Sequence, residues 1–168
     1  MTLPDKIFAR FPKQLRSRTL EPFTIYELAT DHYAVHEPES GEKSLNAAVS
    51  VLRENDKSIG VFSGEPGEAG TTGSLGPVYK MQNSETKAVP TGLVFVRFKT
   101  GVKAAERETD IRRLGFEIAD LVEYAPEAAW VKDPSMEIAK ALAGISALEK
   151  LPDVENVEPQ MLMPRVSR

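Results

Sequence analysis

The 168-residue chain contains no cysteine, so disulfides, thiol nucleophiles and thiolate metal sites are all excluded. Histidine is nearly absent too, with only His32 and His36. No apolar run approaches the roughly 18 residues that a membrane-crossing helix needs. Met1–Lys13 lacks the uninterrupted apolar core of a signal peptide. A cytoplasmic location and no membrane partner are the resulting expectations, or secretion if a leader has been removed. A basic excess is missing as well: 21 Lys and Arg stand against 25 Asp and Glu, for a net charge of -4. Phosphate binding needs clustered cations, so no nucleic-acid partner is expected.

The chemistry-bearing residues that remain do not assemble into a catalytic pattern. His32 and His36 share a face in a helix or a strand, but no Glu-x-x-His context and no third ligand accompany them, so they read as structural or surface residues. Gly70-Thr71-Thr72-Gly73-Ser74 lacks the Gly-Lys-Ser/Thr ending of a phosphate loop and does not open a helix. The carboxylate pairs Glu37/Glu39 and Glu106/Glu108 lie in charge-rich, solvated segments. Arg16-Ser17-Arg18 and Arg112-Arg113 read as surface clusters, and Trp130, the single tryptophan, as a core or sheet-face residue. No Ser-His-Asp arrangement has a local signature. The sequence predicts a non-enzyme with no metal and no cofactor.

What is present is a turn-rich globular composition, 41% hydrophobic with 11 Gly and 12 Pro, and an internal repeat. Ile7-Phe8-Ala9-Arg10-Phe11 matches Val94-Phe95-Val96-Arg97-Phe98, and Val35-His36-Glu37-Pro38-Glu39 resembles Val131-Lys132-Asp133-Pro134-Ser135 in the same order. In the second copy, Leu93–Lys99 reads as a strand. Ala104, Ile111 and Leu114 mark a helix of about three turns ended by Gly115. Phe116–Glu123 and Ala128–Lys132 form a hairpin. Asp133 caps a helix starting at Pro134 and striped by Ile138, Leu142, Ile145 and Leu148. Val154–Val157 is the last strand.

The first copy follows the same order through Ile25–Leu28, Tyr33–His36, a helical Leu45/Ala48/Val49/Leu52 stripe and Ser58–Phe62, with Pro12–Pro22 as a stunted first helix. The predicted fold is α+β, two tandem ferredoxin-like β-α-β-β-α-β units, with antiparallel sheets and helices on one face. The expected organisation is a degenerate unit over 1–65, a Gly-rich linker with a bridging strand at Val78–Met81 over 66–90, a second unit over 91–159 and a tail over 160–168.

The second copy carries a family likeness. The strand Val94-Phe95-Val96-Arg97-Phe98-Lys99-Thr100-Gly101-Val102, the segments Leu114-Gly115-Phe116 and Ile118-Ala119-Asp120-Leu121-Val122, and the closing Leu151-Pro152-Asp153-Val154-Glu155-Asn156-Val157-Glu158-Pro159 resemble the propeptide, or inhibitor domain, of subtilisin-like serine proteases. The resemblance covers about 91–164, and a degenerate copy would occupy about 6–65. It implies a folding chaperone and inhibitor of a subtilisin-like serine protease, in cis or in trans. The sheet would pack on surface helices of the enzyme, and Glu123 and Glu127 could cap them. The tail Met161, Leu162, Met163, Pro164, Arg165, Val166, Ser167 and Arg168 would lie in the cleft like a substrate. The family's catalytic signatures are absent. Two other readings are a ferredoxin-like regulatory or assembly module without a protease partner, and RNA binding through Gly92–Phe98. The RNA signature is out of place here, because it opens the unit instead of forming its third strand and Thr91 stands where a basic residue belongs.

Overall fold

Two-residue periodicity governs this chain more than helical periodicity does. The computed structural model describes residues 7–17, 24–36, 48–54, 57–66 and 74–164, and among these nine strands carry the architecture. They are β1 (Gln14–Ser17), β2 (Thr24–His36), β3 (Ser50–Glu54), β4 (Lys57–Ser63), β5 (Ser74–Met81), β6 (Lys87–Phe98), β7 (Glu117–Leu121), β8 (Ala128–Lys132) and β9 (Val154–Leu162). Helical segments are short: a 3₁₀ turn at Ala104–Arg107, then α1 (Glu108–Arg113), α2 (Ile138–Ala143) and α3 (Ile145–Glu149). The chain divides into two compact units, the first comprising Met1–Gln14, Tyr26–Pro90 and Met161–Arg168, the second Leu15–Ile25 and Thr91–Gln160.

In the first unit the strands run β3-β4-β2-β5, all antiparallel, and β5 continues onto the start of β6 through Tyr79 opposite Ala88. Alternation sorts the side chains. Ala34, Leu52, Ile59, Val61 and Val78 share a buried cluster with Val89, and Ala29 and Leu162 pack against it. Opposite residues in these ladders place Val51, Gly60, Val35 and Leu75 in a row on the other face, beside Tyr33 stacked on Phe62 at 5.3 Å. The fully buried Tyr79 donates its hydroxyl to the Pro12 carbonyl at 2.6 Å, and burial pushes its phenol above the ordinary value.

The tandem ferredoxin-like fold is therefore corrected. Among the described residues antiparallel sheet dominates and the helices are short, and the described part of the first half contains no counterpart of the two expected helices. Ile7 is helical and a turn follows it, closed by Phe11 N–H on the Phe8 carbonyl at 3.0 Å, so Ile7–Phe11 does not occupy the sheet position that Val94–Phe98 holds in β6. The expected helical stub between Pro12 and Pro22 contains strand β1, and Ile25–Leu28 and Tyr33–His36 are one strand, β2, irregular between Leu28 and Tyr33. Of the expected stripe, Leu45 lies outside the described residues, while Leu52 sits in β3. Only two residues separate Glu54 from its partner Lys57. A connection that short makes a hairpin. Val51 and Leu52 then fall on opposite faces, which satisfies their hydrophobicity without a helix. The bridging strand at Val78–Met81 belongs to β5.

In the second unit β9 pairs β6, β6 pairs β8 and β8 pairs β7. Val94, Val96 and Phe98 alternate inward and are buried, as are Ile111, Leu142 and Leu148 of the helices. Gly92 falls on the same side by alternation, and a Cβ built there would stand 3.4 Å from Ile138 Cγ1 of α2. The helices thus cover the Val94/Val96/Phe98 face. Gly115, at φ +88°, takes the left-handed conformation that ends α1, and its N–H bonds the Arg112 carbonyl at 3.0 Å.

Asp133 does not cap a helix at Pro134. Its carboxylate accepts the Ser135 hydroxyl, the Ser135 N–H at 3.0 Å and the Glu137 N–H at 3.2 Å, which makes a turn that delays the helix to Ile138. The Ser135 hydroxyl first, with the two backbone donors, holds this carboxyl below its ordinary value against the opposing effect of burial. A depressed folded-state pKa means that the stabilisation is complete above the unfolded value, about pH 4, and disappears as the pH falls through the folded one. Asp133→Ala is expected to cost about 1.5–3 kcal/mol at neutral pH, typical of hydrogen bonds to a charged group. The deficit should shrink steadily in acid, which urea unfolding at a series of pH values checks.

Candidate protein-binding site

The face of the second unit turned away from the helices has an aromatic centre. Phe95 of β6 lies opposite Trp130 of β8 in the ladder, and the rings meet edge to face at 5.2 Å and 62°. Both are half-buried, on the face opposite Val94 and Val96. Around them stand Arg97, the Lys132–Glu117 ion pair at 3.5 Å, and Asp120 opposite Trp130. Large rigid rings framed by charges of both signs are the composition of a docking surface with a polar rim. The sequence reads Trp130 as a core or sheet-face residue, without choosing between them. Its pairing with Phe95 depends on register, which the β7–β8 and β6–β8 ladders set.

The β7–β8 connection is held rigidly. Ala125 N–H bonds the Val122 carbonyl at 3.1 Å, and Ala128 N–H bonds Ala125 at 2.9 Å. The backbone at Pro126 and Glu127 accepts from Ala104 N–H and Phe98 N–H, each at 2.9 Å. Glu123 is exposed and Glu127 half-buried, and among the described residues neither carboxylate is in an ion pair. Both are free to meet a partner's cations or helix N-termini. Tyr124 between them is 94% exposed, a position that sequence reading passed over because nothing local distinguishes an outward tyrosine from a packed one.

The tail residues separate into two groups. Met161 and Leu162 complete β9, and Leu162 packs on the buried cluster of the first unit. Met163 and Pro164 follow the strand and are exposed. Arg165, Val166, Ser167 and Arg168 lie outside the described residues. The tail belongs to the first compact unit, and Glu123 and Glu127 belong to the second.

His32 and His36 both stand on β2. His32 Nδ1 lies 2.8 Å from Asp31 Oδ1, a contact that holds the Asp31 carboxyl below its ordinary value. The His36 ring sits against Gly76. Among the described residues no group of three potential ligands converges. Arg112 is paired with Glu108 at 2.8 Å and Arg113 with Asp110 at 3.8 Å on α1. Glu37, Glu39 and Gly70–Gly73 lie outside the described residues. Comparison with family models, curated proteins and solved structures finds no match to this chain.

Proposed function

We propose that the protein is a non-catalytic inhibitor and folding chaperone of a subtilisin-like serine protease. The sheet of the second unit docks on the enzyme, and the chain beyond Leu162 enters the active-site cleft like a substrate. The observation that carries this reading is the Phe95–Trp130 ring pair on the partly exposed sheet face, where strand pairing fixes both rings in advance and so lowers the conformational entropy lost on binding. The propeptide-like strand and closing motifs on the same unit agree with it. Beyond β9, Met163 is 41% exposed and offers an apolar side chain for a substrate pocket, with Pro164 behind it. Glu123 and Glu127 would cap enzyme helices, each worth about 0.3–1 kcal/mol when exposed.

Titration of a panel of subtilisin-like proteases with the purified protein, read as residual activity, tests the reading. Tight inhibition of at least one is expected. Deleting Met163–Arg168 should weaken that inhibition at least tenfold, about 1.4 kcal/mol, with the thermal midpoint nearly unchanged. A truncated protein that inhibits as well as the full chain would overturn the tail-in-cleft mechanism. A panel left fully active would overturn the function.

A further inference from the structure

The first unit carries a second feature suited to binding, at the margin of its sheet. Among the described residues β3 pairs only with β4, so its other edge presents backbone N–H and C=O groups that no strand takes up. A cleft of about 680 Å³ lies there, lined by Ser50–Arg53 on one side and by Leu162, Met163 and Pro164 on the other. Successive residues of a strand point to opposite faces. A cleft that touches four in a row, with side chains on both faces, reaches the edge of β3.

The lining says what fits. Val51 is 39% exposed and Met163 41%, so apolar surface flanks the bare edge. The cleft's one charged side chain is Arg53, which is exposed and in no ion pair among the described residues. An unpaired strand edge is satisfied by another strand, whose backbone supplies affinity while alternate side chains supply selectivity. A lone guanidinium beside it favours a carboxylate.

We propose that the β3 edge is a peptide-binding site that accepts an extended segment of another protein by strand addition, with an Asp or Glu side chain on Arg53 and an apolar side chain between Val51 and Met163. The peptide takes the unpaired positions of β3 as an added edge strand. This site goes beyond the protease reading and is tested without a protease.

The probe is a fluorescein-labelled ten-residue peptide alternating threonine and valine with one central glutamate, titrated by anisotropy into the full chain. Saturable binding is expected, and a lysine in place of the glutamate should weaken it at least tenfold. Arg53→Glu should reverse that preference. N-methylating the peptide amides on one alternate set should abolish binding, while methylating the other set should leave it within about twofold, because only one set faces the β3 edge. The protein is unaltered in that comparison, so misfolding cannot mimic the result. Absence of binding at millimolar peptide, indifference to the methylation pattern, or an unchanged charge preference in Arg53→Glu would each overturn the proposal. So would concentration-dependent self-association that the peptide fails to compete, since the edge would then belong to a second copy of the chain.

Discussion

Replacing Gly144 by valine is expected to destabilise the second unit by about 3 kcal/mol or more, the upper range for overpacking a well-filled core. Gly144 sits between α2 and α3 at an ordinary helical φ of -83°, so its backbone does not demand glycine. The space does. A Cβ there would stand 2.5 Å from Cε2 and 2.6 Å from Cζ of Phe116, a residue only 4% exposed. Even Gly144→Ala should lose stability, although alanine is favoured over glycine in a helix by about 1 kcal/mol. Combining Gly144→Ala with Phe116→Leu should cost less than the two single changes added, by about 1 kcal/mol, as expected for residues in contact. Chemical denaturation of the three variants measures it. A neutral or stabilised Gly144→Ala protein would show that the ring is not confined.

Leu162→Asp is the other change with a large expected effect. Leu162 packs on the cluster of Ala34, Leu52, Ile59, Val61, Val78 and Val89, and a carboxylate there would face apolar atoms on its inner side with no cation among them. A loss of about 2–4 kcal/mol is expected, in the range that marks a buried unpaired polar group. The loss should be localised: hydrogen exchange should accelerate at the amides of β2 and β4 before it does at Val94 and Val131. Equal acceleration everywhere would contradict the assignment of Leu162 to the first unit's core. The contrast with deletion of Met163–Arg168, which should leave the thermal midpoint nearly unchanged, separates the structural residue from the exposed ones that follow it.

The second half was more legible in the sequence than the first, for reasons visible in particular residues. Val94-Phe95-Val96-Arg97-Phe98 alternates strictly, Gly115 ends a charged helical run, and Ala128–Lys132 is a compact apolar segment, so β8, the end of β6 and the helical run up to α1 fall close to expectation, although β6 begins at Lys87 and not at Leu93. The helix around Ala139–Leu148 was foreseen in its stripe and missed in its start, because the Asp133 carboxylate bonds Ser135 and Glu137 in a turn of its own. The first half misled through local string similarity. Ile7–Phe11 matches Val94–Phe98 almost residue for residue, but a five-residue string does not choose between helix and strand when long-range pairing decides. The Leu45/Ala48/Val49/Leu52 spacing fits a helix face, yet Val49 and Val51 are β-branched and only Asn55-Asp56 separates Glu54 from Lys57. That short polar pair was the available signal for a hairpin. Of the candidate site, Glu123, Glu127 and the tail are singled out by the sequence, whereas Trp130 reads there only as a core or sheet-face residue. Phe95 as its ring partner and the exposed Tyr124 required the ladder registers.

The division of the chain between its two units has a consequence for the order in which they can form during synthesis. The first unit takes Tyr26–Pro90 and then Met161–Arg168, with Thr91–Gln160 of the second unit made in between. A ribosome therefore delivers β6, β7, β8 and nearly all of β9 before it delivers Leu162, the residue that packs on the first unit's cluster. Until then β2, β4 and β5 have emerged with one side of their core uncovered. β9 supplies Val154–Gln160 to the second unit and Met161 and Leu162 to the first, so both cores are completed by the same late strand, and the half synthesised first waits through the whole of Thr91–Gln160 before Leu162 reaches it.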